Sequence, residues 1–518
     1  MLKSVVKSTQ LDEPNVVLSL ASSYNERDVL GHTHTVTNAE DQRKVNMFYE
    51  FVKNPMSGKG TLTLSKRPGV SDSSLEAVYG SATQAVYLII SQPITTLTGK
   101  QIASIPPWVV SVASGTNITV SNAGTDTVVE STGATYTPSY IDKTLISSVE
   151  NVVLQIRPLT FSSAQHVYYS TTIGTWTQIS DADFTALVHR GKMEHMDGYA
   201  FILDSDNLIW NSDNNSLANW TGTSFIAKQI VQDTPVGLAK MNKQILAFGE
   251  DTMEVFYNAG NDTGSPLLPI GHLSTRIGLA APRVEAGGGH YYCTIGSRIY
   301  YVGRSGGGIK SVGVYSYNGS TVEKVSTPYI DKILSELVSS TTAFSSINTV
   351  GFYGQKAMSI LLTIPNDTSP HWLMFFPEYN EWFEWTSSIF SPINSGEHFL
   401  ACSSNNKGTI YNFAASDNWQ DDGTSYAYSA QFKLPTRGFA NRTLLMFGVD
   451  ADTDTTTNNM TVSMSTDDSA TFSSIGTIDM TQERKVGFMG GGFRRAHIRL
   501  GATNARPARL HSFLARIA

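Results

Sequence analysis

Residues able to do chemistry are plentiful in this 518-residue chain, but few stand at the spacings that chemistry requires. Its 44 Asp and Glu residues offer carboxylates for glycoside hydrolysis, a reaction that needs two of them flanking one bond. Asp197, Asp204, Glu250 and Glu254 sit at the ends of expected strands, yet nothing in their spacing selects a pair. A sialidase would also need three convergent arginines and a Tyr–Glu pair, and the sequence nominates none. His32 and His34, in GHTHT, share one face of a strand without a third metal ligand nearby, so a solvated strand is expected. DADTDT (450–455) starts like a calcium loop but lacks its Gly and terminal Glu, and reads as an acidic turn.

The glycine runs GRSGGG (303–308) and GGGH (287–290) are not phosphate loops. No Gly-Lys-Ser/Thr follows either, and neither opens a helix after a strand. A Gly-x-Ser-x-Gly elbow is absent. STDDSATFSSIG (465–476) approximates the Asp-box pattern S-x-D-x-G-x-T-W, with Ser465, Asp467, Thr471 and Phe472 in place and Ser469 where Gly belongs. In such a box the carboxylate accepts backbone N–H bonds within a hairpin turn, a structural role. Cys293 and Cys402 match no metal spacing and read as buried free thiols in preference to a disulfide. No catalytic, metal or cofactor site is expected.

The elements that would position any site are short apolar runs punctuated by turns. GYAFILDSDNLIW (198–210), KQILAFGEDTMEVFY (243–257) and HYYCTIGSRIYYVGR (290–304) each read as two strands around tight turn chemistry. Hairpin centres recur mostly 30–50 residues apart along the chain, close to the roughly 40–50 residues of a propeller blade. Trp210, Tyr257, Tyr301 and Trp385 close successive repeats. The fold class is therefore all-β: a divergent β-propeller over residues 61–425, with a stack of β-sandwiches as the alternative. The Thr/Ser/Gly-rich stretch 92–146 reads as a projecting β insertion, residues 1–60 as an extended segment whose strands join a platform, and residues 426–518 as a C-terminal β-sandwich-like domain. One helix is expected at TPYIDKILSELVSS (327–340), capped by Thr327, with Ile330, Ile333, Leu334, Leu337 and Val338 on one face.

Composition narrows the class further. Hydrophobic residues at 41% provide several cores and exclude global disorder, and no apolar run approaches the length of a membrane-spanning helix. The start of the chain is a poor signal peptide, and a soluble protein made in a cytoplasm is expected. The net charge of −7 is uneven: from Arg484 onward there are eight Lys and Arg and no Asp or Glu, leaving 29 basic against 44 acidic residues before it, or −15. An acidic body with a basic end argues against a general nucleic-acid grip.

Several phrases occur in a telling order. PVGLAKMNKQILAFGEDTMEVFYNAG is followed by HLSTRIGLAAPRVEAGGGHYYCTIGSRIYYVG, then VEKVSTPYIDKILSELV and NEWFEWT. Phe248-Gly249, Glu254 to Tyr257, Gly278, Tyr329 to Leu334 and Trp385 carry the pattern, which resembles the tail nozzle or hub proteins, the packaged-DNA stabilisation family, of short-tailed podovirus-like phages. VNMFYEFVKNPMSGKGTLTLSKRPGV (45–70) is similar to the family's opening and FRRAHIRLGATNARPARLHSFLARI to its closing strands. The phrases span most of the chain; the stretch 92–146 departs from the family's shorter forms.

The resemblance implies a structural virion protein, not an enzyme, without cofactors. It implies a homohexameric ring below portal and adaptor, extending the DNA channel and retaining packaged DNA. Its implied partners are the adaptor (head-to-tail connector), tail spikes or fibres, a plug or needle, and genomic DNA passing without sequence-specific binding. The location implied is the virion tail, after synthesis in the host cytoplasm. Arg494, Arg495 and Arg499 are candidate adaptor-interface residues, the C-terminal sheet being placed on the adaptor side and the insertion distally. Pairing of these arginines with the protein's own acidic body is the alternative. A propeller-type glycosidase or carbohydrate-binding protein is the competing function.

Overall fold

The computed structural model describes residues 16–19, 43–53, 60–72, 83–90, 108–113, 117–122, 125–131, 136–146, 149–158, 166–172, 175–280, 292–295, 297–305, 312–339, 348–353, 358–364, 371–377, 380–387, 390–393, 400–403, 410–412, 419–434, 441–456, 458–467, 471–483 and 485–518. His32, His34, GGGH and residues 306–308 lie outside these. The chain forms two compact units, one of Asp72–Glu378 with Ser387–Ala414 and one of Met1–Ser71 with Tyr379–Thr386 and Ala415–Ala518.

The first unit is a run of antiparallel meanders. Thr83–Ile90, Trp108–Ala113, Asn117–Asn122 and Thr125–Ser131 make the first sheet; Tyr136–Ile146, Val149–Pro158, His166–Thr172 and Thr175–Gln178 the second. The third holds His189–Met196, Tyr199–Asp204, Leu208–Ser212 and Trp220–Ala227, and the fourth Pro235–Met241, Gln244–Gly249, Met253–Asn258 and Leu267–Pro269. In the fifth, Ile277–Leu279 and Tyr292–Ile295 both pair with Arg298–Ser305, followed by Val312–Tyr317 and Val322–Lys324. Within this unit Asn348–Tyr353, Met358–Ile364 and His371–Phe376 pair in that order as the sixth meander, and Phe390–Ile393, Leu400–Ser403 and Ile410–Asn412 as the seventh. The leading strands of the first four sheets adjoin in turn, Ile277–Leu279 of the fifth meets Gln244–Gly249 and Met253–Asn258 of the fourth, Tyr292–Ile295 meets Asn348–Tyr353 of the sixth, and Phe390–Ile393 of the seventh lies against Thr83–Ile90. The run thus closes on itself, as blades do around a propeller axis. The described strands within 92–146 belong to the first two sheets.

Blade stacking explains the unbroken apolar runs. In Tyr199–Asp204, Ala200 and Ile202 face a core shared with Val153, Val167 and Trp220, while Phe201 and Leu203 face one shared with Leu238, Ile245 and Phe256. Gln244–Gly249 repeats the scheme, with Ile245 and Ala247 on one side and Leu246 and Phe248 on the other, packed with Met253, Tyr301 and Tyr317. A strand sandwiched between two blades must be apolar on both faces, so FILD and ILAF lose the polar alternation of a half-exposed strand. Cys293 is buried among these blades and free, its thiol pushed up by burial.

The helix spans Pro328–Ser339, with Ile330 and Leu334 buried and packed on Val312–Tyr317. Thr327 caps it: its hydroxyl accepts from Ile330 N at 3.5 Å and its carbonyl from Asp331 N at 2.9 Å. Asp331, in the first turn, accepts from Lys324 Nζ at 2.6 Å and Ser326 Oγ at 2.5 Å.

The second unit is a β-sandwich. One sheet runs Met47–Lys53, Gly60–Lys66, Arg509–Ile517, Arg442–Ala451, Val486–Phe493, with Val16–Ser19 also on Arg509–Ile517. In the other, Glu381–Thr386, Lys44–Val45, Tyr426–Lys433, His497–Asn504, Asn459–Ser465 and Ser473–Asp479 are neighbours in that order. Phe432 of one sheet meets Phe513 of the other with ring centres 4.9 Å apart. Ala496, Ile498 and Leu500 are buried as their alternation predicts.

Gly278 shows how tightly adjacent blades are joined. A Cβ built there would lie 2.4 Å from the Gly249 carbonyl oxygen and 2.5 Å from Asp251 N, all rigid backbone. We expect Gly278→Ala to lower the unfolding free energy by roughly 1–3 kcal/mol through overpacking, seen as a lower midpoint in thermal or urea unfolding. An unchanged midpoint would mean that the two strands do not approach this closely.

Candidate functional site

The densest polar chemistry lies inside the sandwich unit, where distant segments converge on buried cations. Arg67 follows Gly60–Lys66 directly and is fully buried. Its guanidinium is bidentate to Asp421, Nη1 to Oδ1 at 2.9 Å and Nη2 to Oδ2 at 2.6 Å. Nε donates to Asn46 Oδ1 at 2.9 Å, Nη1 also to the Pro68 carbonyl at 2.9 Å, and Nη2 also to the Thr386 carbonyl at 3.0 Å. All five N–H donors of the fork are used, and the group stacks on Tyr426 at 3.8 Å.

Around it the cations are individually matched. Arg43 forks onto Glu384 at 2.6–2.9 Å. Lys44 Nζ donates to Tyr49 Oη at 2.6 Å and Glu381 Oε2 at 3.4 Å; burial lowers its pKa against the pull of Glu381, and burial raises that of Tyr49. Lys66 Nζ instead donates to two carbonyls, Trp419 at 3.0 Å and Asn504 at 2.6 Å, and lies 4.2 Å from the Tyr426 ring centre. Burial, and then Arg67 alongside, push Lys66 down to about 7, with Asp421 opposing. The sequence carried no sign of this cluster, because Arg67 and Asp421 are 354 residues apart.

The three arginines singled out from the sequence lie in two settings. Arg494 and Arg495 are exposed at the bend after Val486–Phe493, where Arg494 Nε donates to Asn441 Oδ1 at 3.0 Å. Arg499 is half-buried on the sheet face away from Ile498, stacked 3.7 Å over Phe472 and bonded to Gln431 Oε1 at 3.1 Å. His497, on the same strand as Arg499, is fully buried: the strand is central, flanked by Tyr426–Lys433 and Asn459–Ser465. Arg509 does pair with acids of its own unit, Glu50 at 2.9 Å and Asp452 at 3.5 Å. By composition the propeller unit has 25 acidic and 17 basic residues, or −8, and the sandwich unit 19 and 20, or +1.

The Asp box is a structural turn. Asp467 accepts from Ser465 Oγ at 2.6 Å, Thr471 Oγ1 at 2.6 Å and Thr471 N at 3.0 Å, bonds that hold its carboxyl far below the usual range. The propeller carboxylates are likewise engaged. Asp204 accepts from Asp206 N, Leu208 N and Trp210 Nε1 at 2.8–2.9 Å. Glu254 accepts from Gln229 N and Ile230 N, Glu250 pairs with Arg304 at 2.8 Å, and Asp197 accepts from Asn258 Nδ2 at 3.0 Å. A Tyr–Glu pair does occur: the Tyr292 hydroxyl donates to Glu194, which Lys192 also approaches at 2.8 Å. The two residues are 98 positions apart on the leading strands of the third and fifth sheets, beyond any local pattern. Among the described residues no cluster of His, Cys, Asp and Glu could hold a metal, and no helix is long and apolar enough to cross a membrane.

Against known proteins, the sequence matches the phage stabilisation family described as Bacteriophage P22 Gp10, beta-propeller, over residues 41–373. No curated protein matches. Among solved structures, an exo-β-1,3-galactanase of Phanerochaete chrysosporium is similar at 10% identity over 84% of this chain and 99% of that one, with a TM-score of 0.29. A puromycin-hydrolysing peptidase of Mycobacterium tuberculosis is similar at 9% identity over 71% of this chain and 61% of that one, with a TM-score of 0.33. Scores this low carry no argument about activity.

Two outcomes follow for the buried cluster. Asp421→Asn strands the Arg67 charge and should cost about 3–5 kcal/mol in urea unfolding, while the Arg67→Met, Asp421→Leu double variant should lose less. Lys66 binds its proton more weakly folded, at about 7, than unfolded, at 10.5. The unfolded state therefore holds more protons between these values, and stability contributed here rises with pH across that window. Subtracting the Lys66→Met profile from the native one between pH 7 and 9 should leave this positive slope; a flat difference would refute it.

Proposed function

Because the chain belongs to the phage stabilisation family, and so is a phage tail structural protein of the kind that stabilises packaged DNA, we propose that it forms the nozzle or hub ring of a short tail. In this reading six copies close below the portal and adaptor, extend the DNA channel, hold the packaged genome behind a plug or needle, and carry spikes or fibres. Virion assembly is its task, and it turns over no substrate.

The observation that carries the reading is the family match over 333 residues, 41–373, running from the sandwich's N-terminal strands through most of the blades. The chemistry agrees with it. Asp204, Glu250 and Glu254 hold turns and neighbouring strands, so they stiffen the scaffold where a hydrolase would present an open pair. A propeller unit at −8 repels phosphate, which suits a conduit that DNA must leave quickly. Identical subunits joined head to tail close into a ring when the rotation between them permits. Arg494 and Arg495, exposed at one bend, and Arg499, held against Phe472, are proposed to meet acidic groups of the adaptor.

Native mass measurement should give a hexamer, alone or on adding the adaptor; a strict monomer that never joins an adaptor ring sinks the reading. Replacing Arg494, Arg495 and Arg499 together by Ser should weaken adaptor capture at least tenfold while circular dichroism and the unfolding midpoint stay near native. Aryl-glycoside panels should show no turnover, and measurable hydrolysis would favour the glycosidase alternative.

A further inference from the structure

The edge of Arg509–Ile517 is shared by two partners that differ in how they are tethered. On one side the strand pairs with Arg442–Ala451 along nearly its whole length, from Leu510 to Ile517. On the other, Gly60–Lys66 reaches only Arg509 and Leu510, through Ser65 and Leu64. The remaining edge, Ser512 to Ala515, is filled by Val16–Ser19 in the register Val16 with Ala515, Val17 with Leu514, Leu18 with Phe513 and Ser19 with Ser512. Left unfilled, that stretch would offer a row of unpaired N–H and C=O groups to any passing strand.

Val16–Ser19 is only four residues long, and the 24 residues numbered 20–43 separate it from the next strand of its unit at Lys44. Fully extended, a connection of that length reaches roughly 75–80 Å, more than the breadth of a compact unit of this size. The pairing is a backbone ladder, and its hydrogen bonds are the same whether the edge belongs to the same chain or to another copy. Between identical copies the choice is set by tether entropy, which changes slowly with length, and by effective concentration, which ring assembly makes high.

We propose that Val16–Ser19 is an exchange strand: in the assembled ring it adds to the Ser512–Ala515 edge of the neighbouring copy and laces the subunits together. This rests on the ring reading above. A non-covalent ring built this way resists dissociation of one subunit, because each copy is held by its own strand and by its neighbour's.

The test uses the full chain with Cys402→Ser and the buried Cys293 retained. Val17→Cys and Leu514→Cys, placed opposite each other by the register, are made singly and together. Co-expressed single variants can be joined only between copies. After mild oxidation the expected result is a covalent dimer band from the mixed singles, absent when either single is oxidised alone, and a ladder of higher species from the double variant. The proposal is overturned if the mixed singles give no dimer while native mass shows a ring and the double variant closes within each chain. It is overturned equally if the double variant fails to close at all. A protein that stays monomeric by mass removes the ring reading itself, a result visible before any oxidation.

Discussion

A buried guanidinium organises the sandwich. Arg67 has no water to fall back on, so each of its five donors must find an acceptor inside the protein, and the acceptors come from segments scattered along the chain: Asn46, Pro68, Thr386 and Asp421. Leaving such a charge unpaired is far costlier than never burying it. That constraint requires residues 46, 386 and 421 to arrive together, and it explains why a unit dominated by the C-terminal strands also contains residues 43–70 and 381–386. Trp385 Nε1 donating to the Met47 carbonyl at 2.9 Å and Asn46 Nδ2 donating to the Ala427 carbonyl at 2.7 Å fasten the same three segments. A sandwich assembled from three stretches of the chain closes the polypeptide between them into two loops, 72–378 and 387–414.

The propeller obeys a different constraint. Its strands are stabilised by apolar burial on both faces, and the polar residues that remain are placed where strands turn. Asp204 stitches the hairpin from Tyr199–Asp204 to Leu208–Ser212 by accepting from two backbone amides and the Trp210 indole. Asp233 does the corresponding work at the Gly249–Asp251 turn, accepting from Asp251 N at 2.8 Å, Thr252 Oγ1 at 3.0 Å and Lys228 Nζ. Gly249 belongs there because any side chain would collide with that carboxylate. Acids committed to turns in this way contribute to the unit's negative charge.

What was legible beforehand follows the range of the interactions. Blade strands and hairpins were readable because side-chain alternation and turn chemistry act over a few residues, and the helix because its cap and apolar face lie within Thr327 to Leu334. Tyr257, named as a closing residue, pairs with Leu268 on the blade's outer strand, while Tyr301 is at the core between the fourth and fifth sheets. The same local pattern thus served two environments. The Arg67 cluster and the Tyr292–Glu194 bond were invisible because their partners are brought together only by the closed architecture. His497 is fully buried while Arg499, two positions along the same strand, is half-buried. Period-two alternation assigns a residue to a face, but whether that face is open depends on what covers it.

The charge asymmetry along the chain changes meaning once folded. Read linearly, the last 35 residues are +8 against −15 for the rest, as if a basic tail followed an acidic body. In the folded protein those closing residues are strands of the sandwich, and Arg509 answers Glu50 while Lys485 is buried with its Nζ on Thr453 Oγ1. The sandwich unit ends near neutrality and the propeller unit keeps the negative surplus. A near-neutral unit can pack against identical copies without strong mutual repulsion, and an acidic one discourages lasting contact with phosphate. Dividing the chain's charge in this way between two units is consistent with the ring and channel proposed above.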